Sequence, residues 1–261
     1  MLTIPKRGER YPTLHHSMQL IRHVAPYAIQ QIVDVGVQVK TDFLMEVFPD
    51  KFHHLFEPVK NYRARLEENY RNAGIAFALY QVALSDVDGL LYLHHISKDG
   101  SGQVTHSQIK SAPDWETPFL VTVEEIQARR LDSMFTAENL GDLSYIVKLD
   151  VDGAEERIIA GGKRVISHAS FVVIEVPVTT KPFCSRIAAL EQCGFSVFDI
   201  CDNAYYFGQL SQVDVVMINN RLRGAELKFR PWQYSEGQVV WDKWQHGFQS
   251  LKGQPVGDPF I

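Results

Sequence analysis

The chain has 261 residues, of which 45% are hydrophobic and 22% are charged, a composition typical of a folded globular protein with a sizeable core. Its 26 basic and 31 acidic residues give a formal net charge of -5, so no overall positive field favours nucleic acid or an anionic membrane. We therefore expect neither nucleic acid nor a membrane as a partner.

The first residues, MLTIPKRGERYPT, contain no apolar stretch typical of a signal peptide, and no run of about 18 apolar residues follows. We therefore expect a cytoplasmic protein. The three cysteines, Cys184, Cys193 and Cys201, match neither the spacing of a redox pair nor that of a zinc site. They are predicted to be reduced structural residues.

Strand-like and helix-like segments alternate along the first part of the chain. The run QIVDVG (31–36) predicts a strand that ends in glycine, and TDFLMEVF after it predicts a helix. The run FHHLFE (52–57) predicts a second strand, followed by a helix that begins at Pro58. A third strand is predicted over 75–86.

The second part of the chain continues the alternation. Runs rich in β-branched and aromatic residues predict strands over 144–150 and 170–176, with AEERIIAGG as a short helix between them. Two more strands are predicted over 195–201 and 213–218. The loop between them is too short for a crossover helix, so the last strand should run antiparallel to its neighbour. The pattern predicts an α/β fold with a doubly wound, Rossmann-like sheet of seven strands, mostly parallel.

The predicted organisation is one main domain over 31–220, preceded by an N-terminal helical extension over 1–30. Residues 91–118 are predicted to form an insertion loop, and 221–261 a C-terminal extension that contains three tryptophans. Each of the two segments can cover an active site or pack on the outside. The aromatic extension can also stack on a sugar ring or join two copies of the chain as a homo-oligomer.

A cofactor site is predicted beyond the carboxyl ends of the strands, where open α/β sheets bind ligands. Asp34 and Gly36 end the first strand, and the glycine allows close approach of a ligand to the backbone. Glu57 ends the second strand, and a carboxylate about 20 residues after a glycine turn can accept both hydroxyl hydrogens of a ribose. Its alternative role is to place a negative charge at the start of the next helix.

Two further groups of polar residues follow predicted strands. Ser85 and Asp86 end the third strand and either bind the adenine edge or form an ordinary turn. In KLDVDGAEE, Lys148 and Asp150 share a strand edge, and Asp152 follows in a strand-to-helix turn. Buried clusters of this kind are costly unless they are solvated or functional.

Six segments of the chain occur in the order and approximate spacing of FkbM-type methyltransferases, over about 31–176. They are IVDVG, LFEPV, ALSDVDG, DGSGQVTHS, LDSMF and IVKLDVDGAEERIIAGG. Within the last segment, KLDVDGAE resembles the signature K-x-D-x-(E/D)-G-x-E of that family. The chain therefore resembles the FkbM family of S-adenosylmethionine-dependent methyltransferases.

The resemblance implies an S-adenosylmethionine cofactor, a class I methyltransferase fold and, usually, methylation of a hydroxyl on a sugar or natural product. It also implies that Asp34, Gly36 and Glu57 line the cofactor. One departure is Lys40, at a position where the family commonly has a second glycine. Its side chain can point outward, reach the methionine carboxylate or crowd the site.

Methyl transfer to a hydroxyl requires a base that takes the proton. Asp150 is the first candidate because it ends a central strand, and its alternative role is to hydrogen-bond the turn at Gly153. Its neighbour Lys148 belongs to the same predicted catalytic group. Glu175, and His94 or His95, are reserve candidates. Asp150, Asp152 and Glu155 could bind magnesium through oxygen, but charged turns are commoner, so no metal is predicted.

Two other functions remain open at the level of the sequence. The first strand, glycine turn and Glu57 also fit a nicotinamide-dependent oxidoreductase, although VDVGVQVK lacks the spacing G-x-G-x-x-G. Lys40 also fits a methyltransferase-like binding protein without turnover. The expected acceptor of an active enzyme is a small molecule or a glycan with a free hydroxyl.

Overall fold

A computed structural model describes residues 13–97, 100–101, 104, 106–178 and 182–223. The strands in these residues are β1 (Gln31–Val35), β2 (Phe52–Phe56), β3 (Phe77–Tyr80), β4 (Ala83–Leu84), β5 (Gly89–Ile96), β6 (His106–Lys110), β7 (Leu120–Arg129), β8 (Tyr145–Leu149), β9 (Phe171–Pro177), β10 (Phe195–Tyr206) and β11 (Gln209–Asn219). The helices are α1 (Leu14–Val24), α2 (Asp42–Val47), α3 (Arg63–Asn72), α4 (Leu131–Met134), α5 (Ala137–Leu140), α6 (Glu155–Gly161), α7 (Lys163–His168), α8 (Pro182–Gln192) and α9 (Asn220–Arg223).

The main sheet has seven strands in the order β10-β11-β9-β8-β1-β2-β3. Strands β1, β2, β3, β8 and β9 pair in parallel, and β11 runs antiparallel to both β9 and β10. The predicted seven-stranded, mostly parallel sheet with an antiparallel last strand is therefore present. Sequence order reverses at β1, whose neighbours are β2 and β8, and this is where α/β sheets bind ligands.

Helices cover both faces of the main sheet, which explains why its strands are almost continuously apolar. Val33 and Val35 of β1 belong to a buried cluster with Ile158 of α6 and other residues on one face. Ile32, which points to the opposite face, belongs to a second cluster with Met18 of α1. The N-terminal helix α1 is thus an integral part of the core.

The third predicted strand is wrong in its extent. Only 77–80 pair with β2, while Ala83 and Leu84 form a separate strand, β4, that pairs in parallel with β7 in a second sheet. Ala83 and Leu84 are 1% and 2% exposed. Leu84 packs in the main core and Ala83 in the core of the second sheet, so both are apolar like the residues of β3, and the sequence run alone did not reveal the change of sheet.

The predicted insertion over 91–118 contains two strands in place of a continuous loop. Its residues 91–96 and 106–110 belong to a four-stranded sheet with the order β4-β7-β5-β6, in which β5 pairs antiparallel with β6 and β7. Leu91 and Leu93 alternate along β5 and pack with Ile126 of β7 and Val59 of the main body in their own small core. The insertion is therefore part of a second sheet that has a small core of its own and packs on the main body.

The last two strands form a hairpin longer than predicted, because both continue through the segment expected to be a loop. Phe207 and Gly208 form its two-residue turn with φ values of 50° and 80°, as turns that match the twist of a hairpin require. Tyr205, Tyr206 and Phe207 are 63%, 70% and 99% exposed, so the hairpin ends in an aromatic tip.

In the part of the chain that the structure describes, no helix combines the length and apolar character needed to span a membrane. The predicted C-terminal extension begins with α9, and its residues 224–261 lie outside the described residues. The alternatives considered for its tryptophans therefore stay predictions.

Candidate functional site

A cavity of about 290 Å³ lies at the carboxyl ends of β1, β2, β8 and β9. The main sheet contributes Gly36, Glu57, Asp150 and Glu175 to its lining. These residues are distant in sequence, but parallel strands bring their carboxyl ends to one edge of the sheet. Four of the predicted site residues therefore meet in one cavity whose volume approaches that of common small-molecule sites, about 300–1,000 Å³.

Gly36 is required by the packing of the two central strands. Its φ is +83°, and a Cβ atom built on it would lie 1.9 Å from the carbonyl oxygen of Asp150. Any other residue would therefore separate the end of β1 from the end of β8. The predicted reason for this glycine was close approach of a ligand, and the structure adds close approach of Asp150 itself.

Glu57 is a buried carboxylate at the cavity, 4% exposed. One of its oxygens accepts a hydrogen bond from the backbone N–H of Gln38 at 2.7 Å, and the other accepts from the N–H of Val59 at 2.8 Å. Burial raises the pKa of Glu57 to about 7, against these two hydrogen bonds, which lower it. Each oxygen keeps a further lone pair, so the carboxylate fits the pair of ribose hydroxyls expected of it.

Lys148 is a buried cation behind the cavity. Its Nζ lies 3.3 Å from Oδ1 of Asp34 and 3.1 Å from Oδ2 of Asp150, and it donates to the carbonyl of Gly36 at 3.1 Å. Burial lowers the pKa of Lys148, but the charges of Asp34 and Asp150 outweigh burial and raise it to about 12. A permanently protonated lysine cannot accept a proton, so its chemistry here is to fix the two carboxylates.

Asp34 is fully buried and lies outside the cavity lining. Neither of its oxygens has a hydrogen-bond partner, and its charge is balanced by Lys148. The resemblance implied direct contact between Asp34 and the cofactor. The structure places this residue one layer behind the lining, where it acts on the cavity through Lys148.

Four polar residues occupy one face of four neighbouring strands. Asp34, Lys148, Glu175 and Asp214 follow the alternation of the apolar residues that pack on the α1 side of β1, β8, β9 and β11. This face is apolar at its centre and becomes polar toward the cavity. Asp214 was missed by the sequence reasoning, although alternation within VDVVMI places it on this face.

Glu175, Asp214 and Asp150 form a group of close carboxylates. Asp214 lies opposite Glu175 in the antiparallel register of β9 and β11. Burial, and then the charge of Asp150, raise the pKa of Glu175 to about 8 and that of Asp214 to about 7. Because like charges this close disfavour joint ionisation, the group retains protons near neutral pH.

Ser85 and Asp86 do not line the cavity. They follow β4 in place of β3, and Asp86 pairs with Arg157 of α6 at 2.8 Å and accepts from the Ser85 hydroxyl at 2.9 Å. A Cβ on Gly161 would lie 2.0 Å from the carbonyl of Ser85, so α6 packs directly on this turn. The structure thus supports the turn alternative for these residues.

Lys40 points away from the cavity. Its side chain is 47% exposed and its Nζ pairs with Asp42 at 2.8 Å. It is absent from the cavity lining. Of the three orientations that the sequence left open, the outward one is observed.

The two reserve histidines belong to the second sheet and do not line the cavity. His94 is fully buried, and its Nε2 accepts from the N–H of Asp114 at 2.8 Å. His95 is 5% exposed and its Nδ1 lies 3.0 Å from the hydroxyl of Ser107. Neither reaches the position of a general base, although His95 contacts a residue that does line the cavity.

The acidic turn after β8 does not converge on one point. Glu155 pairs with Arg186 at 2.5 Å, and both side chains are almost fully buried. Asp152 is exposed and accepts from the N–H of Ser107 at 3.3 Å. Within the described residues no group of three His, Cys, Asp or Glu side chains is arranged to hold a metal ion.

The second sheet supplies the other wall of the cavity through Leu93, His106, Ser107 and Ile109. The sequence reasoning missed these residues because it treated the region as a loop. Their strands alternate weakly, and strand β6 is half-buried at every position. A strand of this kind carries little pattern from which its inward side chains can be predicted.

A family model described as the methyltransferase FkbM domain matches residues 34–197. The 2-O-methyltransferase NoeI of Sinorhizobium fredii (strain NBRC 101917 / NGR234) is 26% identical over 153 residues, which are 55% of this chain. The chain spans 62% of the length of that relative.

Among solved structures, an rRNA methylase from Streptococcus thermophilus matches 83% of this chain and 99% of its own, with 10% identity and a TM-score of 0.46. Fibrillarin from Aeropyrum pernix, in complex with natively bound S-adenosyl-L-methionine, matches 77% of this chain and 73% of its own. Its identity is 8% and its TM-score 0.43.

The family model covers more than half of the chain, from the end of β1 to the start of β10. That segment contains Gly36, Glu57, Asp150 and Glu175, which line the cavity from the main sheet. The chain belongs to the FkbM methyltransferase family, and its methyl donor is S-adenosylmethionine.

Proposed function

We propose that this protein transfers a methyl group from S-adenosylmethionine to a hydroxyl of a sugar or another natural product. The observation that carries the proposal is a single cavity with a buried carboxylate suited to a ribose, Glu57, and a pair of carboxylates suited to proton transfer, Asp150 and Glu175. A hydroxyl acceptor requires the pair of carboxylates, because the proton of the hydroxyl must leave as the new C–O bond forms.

The residues at the ends of β1 and β2 fit the cofactor. Glu57 accepts the ribose hydroxyls, and Gly36 leaves the end of β1 open because it carries no side chain. Bound S-adenosylmethionine supplies a methyl group on a sulfonium. The chain contributes orientation and exclusion of water, which are strong effects when two reactants must meet in line.

The proton of the acceptor passes to the carboxylate pair. Asp150 is held at the cavity by Lys148 at 3.1 Å, and its negative charge favours the protonated form of Glu175. A carboxylate with a pKa of about 8 is a stronger base than an ordinary glutamate and suits a reaction near neutral pH. Asp150 and Glu175 together act as the general base, and Lys148 is their positioning residue.

The acceptor class is supported by the relative NoeI, a 2-O-methyltransferase, at 26% identity. The wall formed by Leu93, Ile109 and Ser107 combines apolar surface with a hydroxyl, a composition common to sites for small molecules. The competing oxidoreductase finds no support in the family match. The binding protein without turnover loses its motivation because Lys40 points outward.

The proposed activity is tested by incubating the purified chain with S-adenosylmethionine and a panel of methyl glycosides that differ in their free hydroxyls. We expect mass spectrometry to detect a methyl group on the oxygen of at least one glycoside, and the Asp150→Asn variant to lose this activity. Calorimetry with S-adenosylmethionine and NAD separates binding from turnover. Methylation restricted to amines or thiols, or binding of NAD alone, would contradict the proposal.

A further inference from the structure

Ser107 ends the segment DGSGQVTHS, which had no assigned role, and it lies in the cavity wall formed by the second sheet. Its hydroxyl is 3.0 Å from Nδ1 of His95, and Nε2 of His95 is 3.7 Å from Oε2 of Glu124. Oε1 of Glu124 is 2.5 Å from Nζ of Lys60. A row of polar contacts therefore runs from the loop after β2, through the second sheet, to the cavity.

The donor and acceptor of each contact in this row follow from the charge of Glu124. Lys60 hydrogen-bonds Glu124 and lowers the pKa of that carboxyl, so it is ionised. A carboxylate beside Nε2 favours the tautomer of His95 that carries its proton on Nε2. Burial lowers the pKa of His95, so the ring is neutral and Nδ1 is a hydrogen-bond acceptor. The hydroxyl of Ser107 must then donate its hydrogen to Nδ1.

The backbone of Ser107 is fixed as well. Its N–H donates to Oδ2 of Asp152 at 3.3 Å, which ties β6 to the turn after β8. The hydroxyl of Ser107, a residue of the cavity lining, therefore directs its hydrogen to His95 and keeps its oxygen lone pairs available to accept a hydrogen bond. An oxygen in this state binds a hydrogen-bond donor and discriminates against a group that can only accept.

We propose that Ser107 is part of the acceptor subsite and accepts a hydrogen bond from a hydroxyl of a polyhydroxylated substrate, and that His95 is a positioning residue that orients Ser107. The inference rests on the proposed function and extends it to a specific contact with the acceptor. It assigns the second sheet the recognition of a hydroxyl that neighbours the methylated one.

The orientation of the hydrogen bond is tested without turnover. A long-range ¹H–¹⁵N correlation spectrum of the full chain, with His95 assigned through the His95→Gln variant, should show the proton of His95 on Nε2. The Ser107→Ala variant should shift the Nδ1 resonance. A proton on Nδ1 would overturn the proposal, because Ser107 would then donate into the cavity.

The contact with substrate is tested by kinetics with a methyl glycoside that the wild-type chain methylates. Ser107→Ala should raise KM for the glycoside about three- to tenfold, the scale for loss of one neutral hydrogen bond, with kcat and the Kd of S-adenosylmethionine unchanged. The matched control is Gln108→Ala on the same strand, outside the cavity lining. Unchanged KM in Ser107→Ala would overturn the proposal.

The role of His95 is tested through Ser107. His95→Leu should raise KM as much as Ser107→Ala does, His95→Asn should restore part of the loss, and the double variant should be no worse than either single one. Additive effects would show that His95 does not act through Ser107. If the wild-type chain methylates no glycoside, the proposed function fails, while the tautomer of His95 still decides the direction of the hydrogen bond.

Discussion

Single residues at this site carry more than one task, and Glu57 is an example. Its two oxygens accept backbone hydrogen bonds from Gln38 and Val59 and also face the cavity. The residue therefore shapes the two loops that surround the predicted ribose position. The sequence also suggested that Glu57 places a negative charge at the start of the next helix. The hydrogen bond from the N–H of Val59 is similar to that role, but Glu57 lines the cavity as well.

Glu57→Ala is expected to weaken binding of S-adenosylmethionine by about 1 to 3 kcal/mol, the scale for losing hydrogen bonds to a charged group. Because the pKa of Glu57 is about 7, wild-type affinity should also increase as pH rises through 7 and the carboxylate ionises. Calorimetry over this pH range measures both effects. Glu68→Ala, an exposed change on α3, is the control, and equal affinities of the two variants would remove Glu57 from the site.

If Glu175 is part of the general base, the rate of catalysis depends on its protonation. The wild-type kcat/KM should rise as pH increases through about 8, because Glu175 accepts a proton only after it has lost its own. Glu175→Gln should remove this rise and lower the rate at high pH by about 10²- to 10⁴-fold, the usual contribution of a general base. The control is Glu125→Gln on the exposed face of β7. A Glu175→Gln profile that keeps the rise would assign it to another group.

At the level of elements, the strands that the sequence predicted well are those buried on both faces. Strands β1, β2, β8 and β9 each come from a short run rich in apolar residues. The residues predicted at their carboxyl ends, Gly36, Glu57, Asp150 and Glu175, line one cavity. The run over 75–86 failed because β3 and β4 are separated by only two residues, 81 and 82. Nothing in a continuous apolar run marks a change from one sheet to another.

The second sheet could not be predicted for a different reason. Its strands do not share one burial pattern: β5 is buried on both faces from Leu93 to Ile96, whereas β6 is half-buried at every position. The register of these strands depends on tertiary contacts, such as those of Val59 with Leu91 and Leu93. Ser107 and Asp214 were missed because their roles depend on neighbours in other strands. Local pattern reveals strand ends, but it does not reveal which strands lie side by side.

The hairpin of β10 and β11 offers a test of local backbone preference. Phe207 has a φ of 50°, so its backbone adopts the left-handed region, and it is 99% exposed. Its ring contacts the ring of Tyr206 edge-on, with 4.9 Å between the centroids, a contact at the exposed tip that contributes little to stability. Phe207→Asn should stabilise the protein by about 1 kcal/mol, since asparagine tolerates this region, and raise Tm by about 2–4 °C. Phe207→Val should lower Tm in the same calorimetric scan. The reverse order would mean that the ring contact with Tyr206 outweighs the cost of the left-handed backbone.

The whole molecule has a net charge of -5, and several of its acidic groups converge on one cavity. Burial raises the pKa of Glu175 to about 8 and that of Asp214 to about 7. Both groups therefore bind protons more tightly in the folded protein than in the unfolded chain. Their contribution to stability is present at low pH and is lost as pH rises through the folded values.

We expect Tm to fall between pH 6.5 and about 8.5 as these carboxyls ionise. Burial lowers the pKa of His54 to about 4 from 6.5, so this histidine affects stability only below that window. Calorimetry across the window should show a fall of several degrees, at about 2–4 °C for each kcal/mol in a chain of this size. Glu175→Gln should flatten the curve and Glu125→Gln should not. A wild-type Tm that rises with pH would contradict the shifted pKa values.

The second sheet is one continuous segment, 83–129, and meets the rest of the chain at the cavity through few polar links, including Lys60 with Glu124 and Ser107 with Asp152. The groups that we propose to bind the methyl donor lie elsewhere, at the ends of β1 and β2. On these proposed assignments, substrate choice and donor binding are encoded in separable stretches of the gene. Replacing residues 83–129 with the corresponding segment of another family member should change the acceptor preference and leave the affinity for the methyl donor unchanged.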